Sequence, residues 1–251
     1  MKIGFSSITL AYNPLDWVFE LEDIGFSGWE ILCEDEMVLT KRLRKKIELV
    51  QERTDLILTI HAPFSDLNLA SVNQPIWKES LRQVKSCIEH SSDLAKIVTV
   101  HPGHLSPLGS QIPEKAWSQM IKAFQILCDF ADDYGITISV ENMINIDWLF
   151  GRYPDELTNI LEKVGKENIK MTLDIGHANL MGLVNDFLKM DFIHIHAHDN
   201  FGKMDEHLSV GKGTIDWGYV VKGLANYKGI VMIEAKSFED GKESFDYLMS
   251  M

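Results

Sequence analysis

The sequence predicts an α/β fold, a single (β/α)8 barrel spanning residues 1–251. Eight short β-type runs alternate with longer amphipathic stretches, and no segment rich in Pro, Gly or Ser interrupts them. Eight repeats leave no edge strand over, which favours closure into a barrel rather than an open sheet. The length is that of one such barrel, and 45% hydrophobic residues suffice for one large core.

The first run, KIGFSS (2–7), opens the chain without the basic region, apolar stretch and small-residue cleavage site of an export signal. The second, GWEIL (28–32), turns Glu30 inward and is followed by the loop CEDEM and the helical stretch containing KRLRKK. ILTIHAP (57–63) carries His61, with Phe64 next, and IVTVHPG (97–103) carries His101. ITISVEN (136–142) ends near Glu141, and IKMTLDIGH (169–177) carries Asp174 and His177. FIHIHAHDN (192–200) holds three histidines and leads to KMDEHL, with Asp205 and His207 two apart, a spacing that projects both the same way from extended chain. GIVMIEAK (229–236) carries Glu234.

Within these runs a period of two separates two faces. Leu58, Ile60, Val98, Val100, Ile138, Val140, Ile193, Ile195, Val231 and Ile233 share the parity expected against the helices. The other parity holds Thr59, His61, Thr99, His101, Ser139, Glu141, Thr172, Asp174, His194, His196, Met232 and Glu234. A purely structural barrel fills its interior with branched apolar residues, whereas here that parity ends in titratable groups at the C-terminal strand ends, where barrel enzymes place their chemistry. A lone strand-end histidine is more often structural. Six consecutive strands delivering imidazole or carboxylate donors to one rim point instead to divalent metal, with zinc most expected and manganese next.

Cys33, Cys87 and Cys128 are scattered and odd in number, and no window reaches the ~18 apolar residues of a membrane span, so a cytoplasmic setting without membrane contact is expected. With 24 basic against 37 acidic residues, the formal charge of -13 disfavours broad attraction to nucleic acid. KRLRKK reads as a solvated helix face, His104 and His90 as residues outside the site, Trp17, Trp77 and Trp117 as packing residues, and GKG (211–213) as a tight turn before a helix at IDW.

Taken together, HAPFSDLNLAS, VHPGH, SVENM, LDIGH, HAHDN, DEH, VGKGTIDW and IEAK resemble the xylose isomerase-like TIM barrel superfamily, over essentially the whole chain. That superfamily includes sugar-phosphate isomerases and epimerases and endonuclease IV-like proteins. The resemblance to the endonuclease IV branch implies up to three zinc ions held by His61, His101, Glu141, Asp174, His177, His196, Asp205, His207 and Glu234. His194 and His198 share the parity of His196 and remain alternatives; His196 is assigned because Asp199 follows it by three residues, as in the family pattern. The isomerase branch implies one metal on Glu141, Asp174, His196 and Glu234, with His177 at the substrate.

Three functions follow as expectations. The leading one is a sugar or sugar-phosphate isomerase or epimerase, with Glu141 and Glu234 exchanging a proton beside a metal-polarised carbonyl, and Glu30, Phe64 and His177 near the substrate. The acidic composition and the lack of Arg or Lys in SSITLAYNPL and CEDEM favour it, although Lys212 stands where epimerase-like relatives often have Arg. The second is an endonuclease IV-like phosphodiesterase with abasic DNA as partner, favoured by the number of donors. The third, a noncatalytic metal-dependent binding protein, is disfavoured because no candidate ligand position is eroded.

Overall fold

A computed structural model describes residues 1–6 and 15–251. Most of SSITLAYNPL, and with it the last residue of KIGFSS, lies outside the described residues. The order is β1 (Lys2–Ser6), α1 (Glu20–Ile24), β2 (Gly28–Leu32), α2 (Lys41–Arg53), β3 (Ile57–His61), α3 (Gln74–Ser91), β4 (Ile97–Val100) and α4 (Pro113–Asp132). It continues with β5 (Thr137–Glu141), α5 (Pro154–Val164), β6 (Ile169–Asp174), α6 (Ile175–Leu180), α7 (Val184–Phe187), β7 (His194–Ala197), α8 (Trp217–Gly223), β8 (Ile230–Glu234) and α9 (Phe238–Met249). All strand pairs are parallel, and β1 pairs with β8 from Lys2–Ile230 to Ser6–Glu234, closing the barrel.

The two parities fold as the pattern requires. Leu58, Ile60, Val98, Val100, Ile138, Val140, Ile195, Val231 and Ile233 are buried in the core that joins the sheet to the helices, where α3 contributes Trp77, Leu81 and Val84 and α4 contributes Met120, Phe124 and Leu127. Ile193 falls just before β7 and is half-buried. Inside the barrel, Thr99, Thr172 and Ser139 form a hydroxyl chain, with Thr172 donating to Ser139 at 2.6 Å and lying 3.2 Å from Thr99. At the level of Gly4 and Gly28, Met232 fills the barrel: a Cβ on Gly4 would stand 2.2 Å from its Sδ, and one on Gly28 2.5 Å from the Ile57 carbonyl.

Helix ends are set locally. Thr40, Asp216 and Ser237 cap α2, α8 and α9, each accepting from a backbone N–H three residues on, and Gly165 ends α5 at φ 64°. The basic run lies on α2, where Arg44 pairs with Glu48 and donates to the His90 carbonyl. The three tryptophans pack as expected: Trp17 sits edge-on to Phe5 and Trp29, Trp117 to Phe150, and Trp77 is buried. Among the described residues, no helix is long and apolar enough to cross a membrane.

Candidate metal centre

Parallel pairing carries strand ends 3 to 8 to one rim, and Glu141 at the end of β5 lies at the centre of what converges there. Its Oε2 is 3.2 Å from His61 Nε2 and 3.0 Å from His101 Nε2, while its Oε1 is 3.0 Å from His196 Nδ1. His196 Nδ1 also lies 3.3 Å from Glu234 Oε1 and 4.0 Å from Asp174 Oδ2. On the other side of Asp174, His177 Nε2 is 3.4 Å from Asp205 Oδ2, which is 3.2 Å from His207 Nε2. All nine sequence-predicted donors are thus assembled in one connected cluster.

Ring orientation is controlled from outside the cluster. The Nδ1 of His61 donates to its neighbour's carbonyl at Ala62 (2.9 Å), and the Nδ1 of His177 donates to the Asn142 carbonyl (2.8 Å). A carbonyl only accepts, so each ring presents an unprotonated Nε2 inward when neutral. Asn142 braces the same corner by accepting from the Asp174 N–H and donating to its carbonyl. Asp174 in turn caps α6, accepting from the His177 N–H at 2.6 Å.

Burial alone would push these carboxyls up, but the surrounding imidazoles reverse it. His196 and His101 hold Glu141 well below the usual carboxylate range, and His177 and His198 hold Asp174 down. Conversely, burial would lower His177 and His196, yet Asp174 and Asp205 raise the first and Glu30 and Glu234 raise the second, both well above an ordinary imidazole. At neutral pH the carboxyl groups of Glu141 and Asp174 are therefore ionised, the form in which a carboxyl binds metal.

The fit to divalent metal rests on unpartnered atoms. Asp174 Oδ2, Asp205 Oδ1 and His198 Nε2 are buried without a hydrogen bond, an arrangement costing roughly 1–3 kcal/mol per group unless a cation or water completes it. Nitrogen and carboxylate donors without thiolate suit zinc, manganese, iron or cobalt, and the residues present fit such ions.

A cavity of about 520 Å3 opens above the cluster. His61, His101, Glu141, His177, Asp205, His207 and Glu234 form its polar floor, and Leu32, Phe64, Met143 and Ile144 its apolar walls. Phe64 stacks on His101 with centroids 4.4 Å apart. It is held there by Glu34 of the CEDEM loop, whose Oε1 accepts from the N–H groups of Phe64 and Ser65. A second cavity of about 660 Å3 adjoins it, sharing Phe64, His101 and Met143, and His104 lines that one.

Glu30 does not line the central cavity. It is 1% exposed and lies beneath the cluster, accepting from Thr59 Oγ1 at 3.0 Å and from His194 Nε2 at 2.7 Å, with His196 Nε2 2.8 Å away. A direct substrate contact for Glu30 is not compatible with that position; it contacts the back of His196. Residues that the sequence reading passed over are Asn142, Glu34, Leu32, Met143 and Ile144. Only Asn142 carried a signal, as a buried amide directly after a strand-end carboxylate.

Comparison with known proteins agrees with this architecture. The xylose isomerase-like TIM barrel family matches residues 18–251. A protein of uncharacterised function from Methanocaldococcus jannaschii is 34% identical over 99% of this chain and 88% of its own length. A solved D-tagatose 3-epimerase-like protein superposes with a TM-score of 0.92 at 32% identity, over 100% of this chain and 96% of its own. A probable endonuclease 4 from Mycoplasma mobile is 28% identical over 48% of this chain and 47% of its own. The chain belongs to the xylose isomerase-like TIM barrel family.

Proposed function

We propose that this protein is a metal-dependent isomerase or epimerase of a small sugar or sugar phosphate. The observation that carries the reading is the cavity: about 520 Å3, walled by Leu32, Phe64, Met143 and Ile144, with Glu141 and Glu234 both on its floor. That volume suits one small ligand. The solved relative named a D-tagatose 3-epimerase-like protein supports the same class. Glu141, Asp174, His196 and Glu234 would hold one ion, His61 and His101 would extend the donor set on one side, and His177, Asp205 and His207 on the other. A bound divalent ion supplies Lewis acidity that polarises a carbonyl and acidifies the adjacent C–H.

The residues do the rest. One carboxylate, Glu141 or Glu234, takes the carbon-bound proton, and the electron pair left behind moves into the carbonyl. The other, as the acid, returns a proton to carbon and the carbonyl re-forms. In an epimerisation the proton returns to the opposite face of the same carbon and the same carbonyl re-forms; in an isomerisation it returns to the former carbonyl carbon, the neighbouring hydroxyl proton passes to the former carbonyl oxygen, and the carbonyl forms at the carbon that first lost its proton. The apolar walls exclude water from the carbanionic stage, and the Phe64 stack on His101 fixes one wall.

A second reading is favoured by one observation. His177, Asp205 and His207 form an additional donor group that a one-ion isomerase does not need, and the partial match to a probable endonuclease 4 is consistent with phosphodiester hydrolysis. The deciding experiment incubates metal-reconstituted protein in D2O with a panel of ketoses and their phosphates, and in parallel with an abasic oligonucleotide. Deuterium incorporation beside a carbonyl is expected. Strand cleavage without any exchange would discard the isomerase reading.

A further inference from the structure

The loops after β3, β4 and β5 enclose the cavity of about 660 Å3 beside the central one, and they are tied to one another. Buried Asn68 is the main tie. Its amide donates to the His104 carbonyl at 2.8 Å, its Oδ1 accepts from the His104 and Ala70 N–H groups at 3.0 and 2.9 Å, and its own N–H donates to Ser80 Oγ on α3 at 2.8 Å. The Leu105 N–H donates to the Trp148 carbonyl at 2.7 Å and the Phe150 N–H to the Gly103 carbonyl at 3.2 Å, which adds the third loop. Gly103 permits the close approach: at its φ of 96°, a Cβ would stand 2.9 Å from the Ala70 nitrogen. Phe64, His101 and Met143 line both cavities, so a single layer of side chains divides them.

We propose that this side cavity is a subsite for a second, uncharged sugar ring, so that the substrate is a glycosyl-substituted keto sugar whose reacting part lies over Glu141 and Glu234. No Lys or Arg lines the side cavity, hence no cationic side chain there pairs with a phosphate. Val72, Ile76 and Leu108 offer apolar surface to the C–H faces of a ring. Three polar side chains beside them take no part in the ties between the loops. Asn73 stands at the capping position of α3, yet its side chain makes no cap hydrogen bond; Asp66 is exposed; and His104 is half-buried, held to Asn68 through its backbone and not its ring. Burial pushes the His104 imidazole down, so at neutral pH the ring is neutral and offers one donor and one acceptor, the complement of a hydroxyl. Mostly apolar walls with a few fixed polar groups are the usual form of a small-ligand site, and the volume is within its range. Contacts to a second ring, remote from the reacting carbon, help to hold that carbon in place. The inference deepens the isomerase or epimerase reading and rests on the central cavity as its reaction site.

The test compares kcat/KM for deuterium exchange from D2O into D-fructose and into the isomeric glucosyl-fructose disaccharides, with metal-reconstituted wild type, Ile76→Trp and Asn73→Trp. In the wild type at least one disaccharide is expected to exceed fructose by roughly tenfold or more, and the added indole in either variant to bring that ratio towards one. A ratio near one in the wild type, or a ratio unaltered in both folded variants, overturns the proposal. Wild-type crystals soaked with each disaccharide give a readout that does not depend on turnover. The second ring is expected in the side cavity, against Ile76 and His104; a second ring left in solvent, or no bound disaccharide at all, overturns the subsite. A second ring seated there without exchange into any keto sugar would uphold the subsite and discard the isomerase or epimerase reading instead.

Discussion

Glu141 meets His61, His101 and His196 while facing the cavity. Glu141→Gln keeps the volume and removes the charge. It is expected to cut turnover by roughly 10²–10⁴-fold with an unchanged far-UV spectrum; a folded variant with full activity would contradict the isomerase and the phosphodiesterase readings alike. The cysteines provide a contrast. All three are buried and free, burial pushes the Cys128 thiol up to about 12, and burial raises Cys33 well above its ordinary value. The thiolate is the reactive form, so a thiol reagent at pH 8 is expected to leave the native protein unlabelled and to titrate three thiols in urea; fast native labelling would show that a strand or helix opens readily. At this scale the donors were readable because strand parity and position at the strand end are both properties of local sequence. The place of Glu30 was not, because its partners His194 and His196 are more than 160 residues away in the chain.

The loop from β7 to α8 shows how one element is set by one side chain. Asp199 accepts from the N–H groups of Gly211 and Ile215 and from the Trp217 indole, so VGKGTIDW wraps around a buried carboxylate rather than around a phosphate. The turn before IDW was legible, since Asp216 caps α8 as its position suggests. The reason for the second glycine was not. A Cβ on Gly213 would stand 2.2 Å from Asp199 Oδ1 and 2.3 Å from the Asn200 carbonyl. Backbone cannot give way as a flexible side chain can. Gly213→Ala is expected to cost about 1–3 kcal/mol in urea denaturation, and because Asp205 and His207 ride on the same loop it should also weaken zinc binding. A neutral substitution would mean that the loop tolerates a different wrap.

At the scale of the molecule, alternation and strand count were enough to foresee closure, but the cavity was not foreseeable. Its apolar walls come from the last residue of β2 and from residues after β3 and β5 whose sequence neighbours give no sign that they meet. What the whole barrel does is bring carboxylates from β5, β6 and β8 together with imidazoles from β3, β7, α6 and the residue after β4 on a rim where buried atoms of Asp174 and Asp205 lack partners. Such a rim is a weak end of the fold until a cation completes it, since the unfolded chain has no preformed site to compete for the ion. Zinc at 100 times its dissociation constant should then stabilise the folded state by about 2.7 kcal/mol, which for a chain of this size raises Tm by about 5–10 °C. The comparison is between chelator-treated protein and the same protein with zinc restored, followed by calorimetry. A barrel whose melting ignores zinc would require these strand ends to be held by their mutual ion pairs alone.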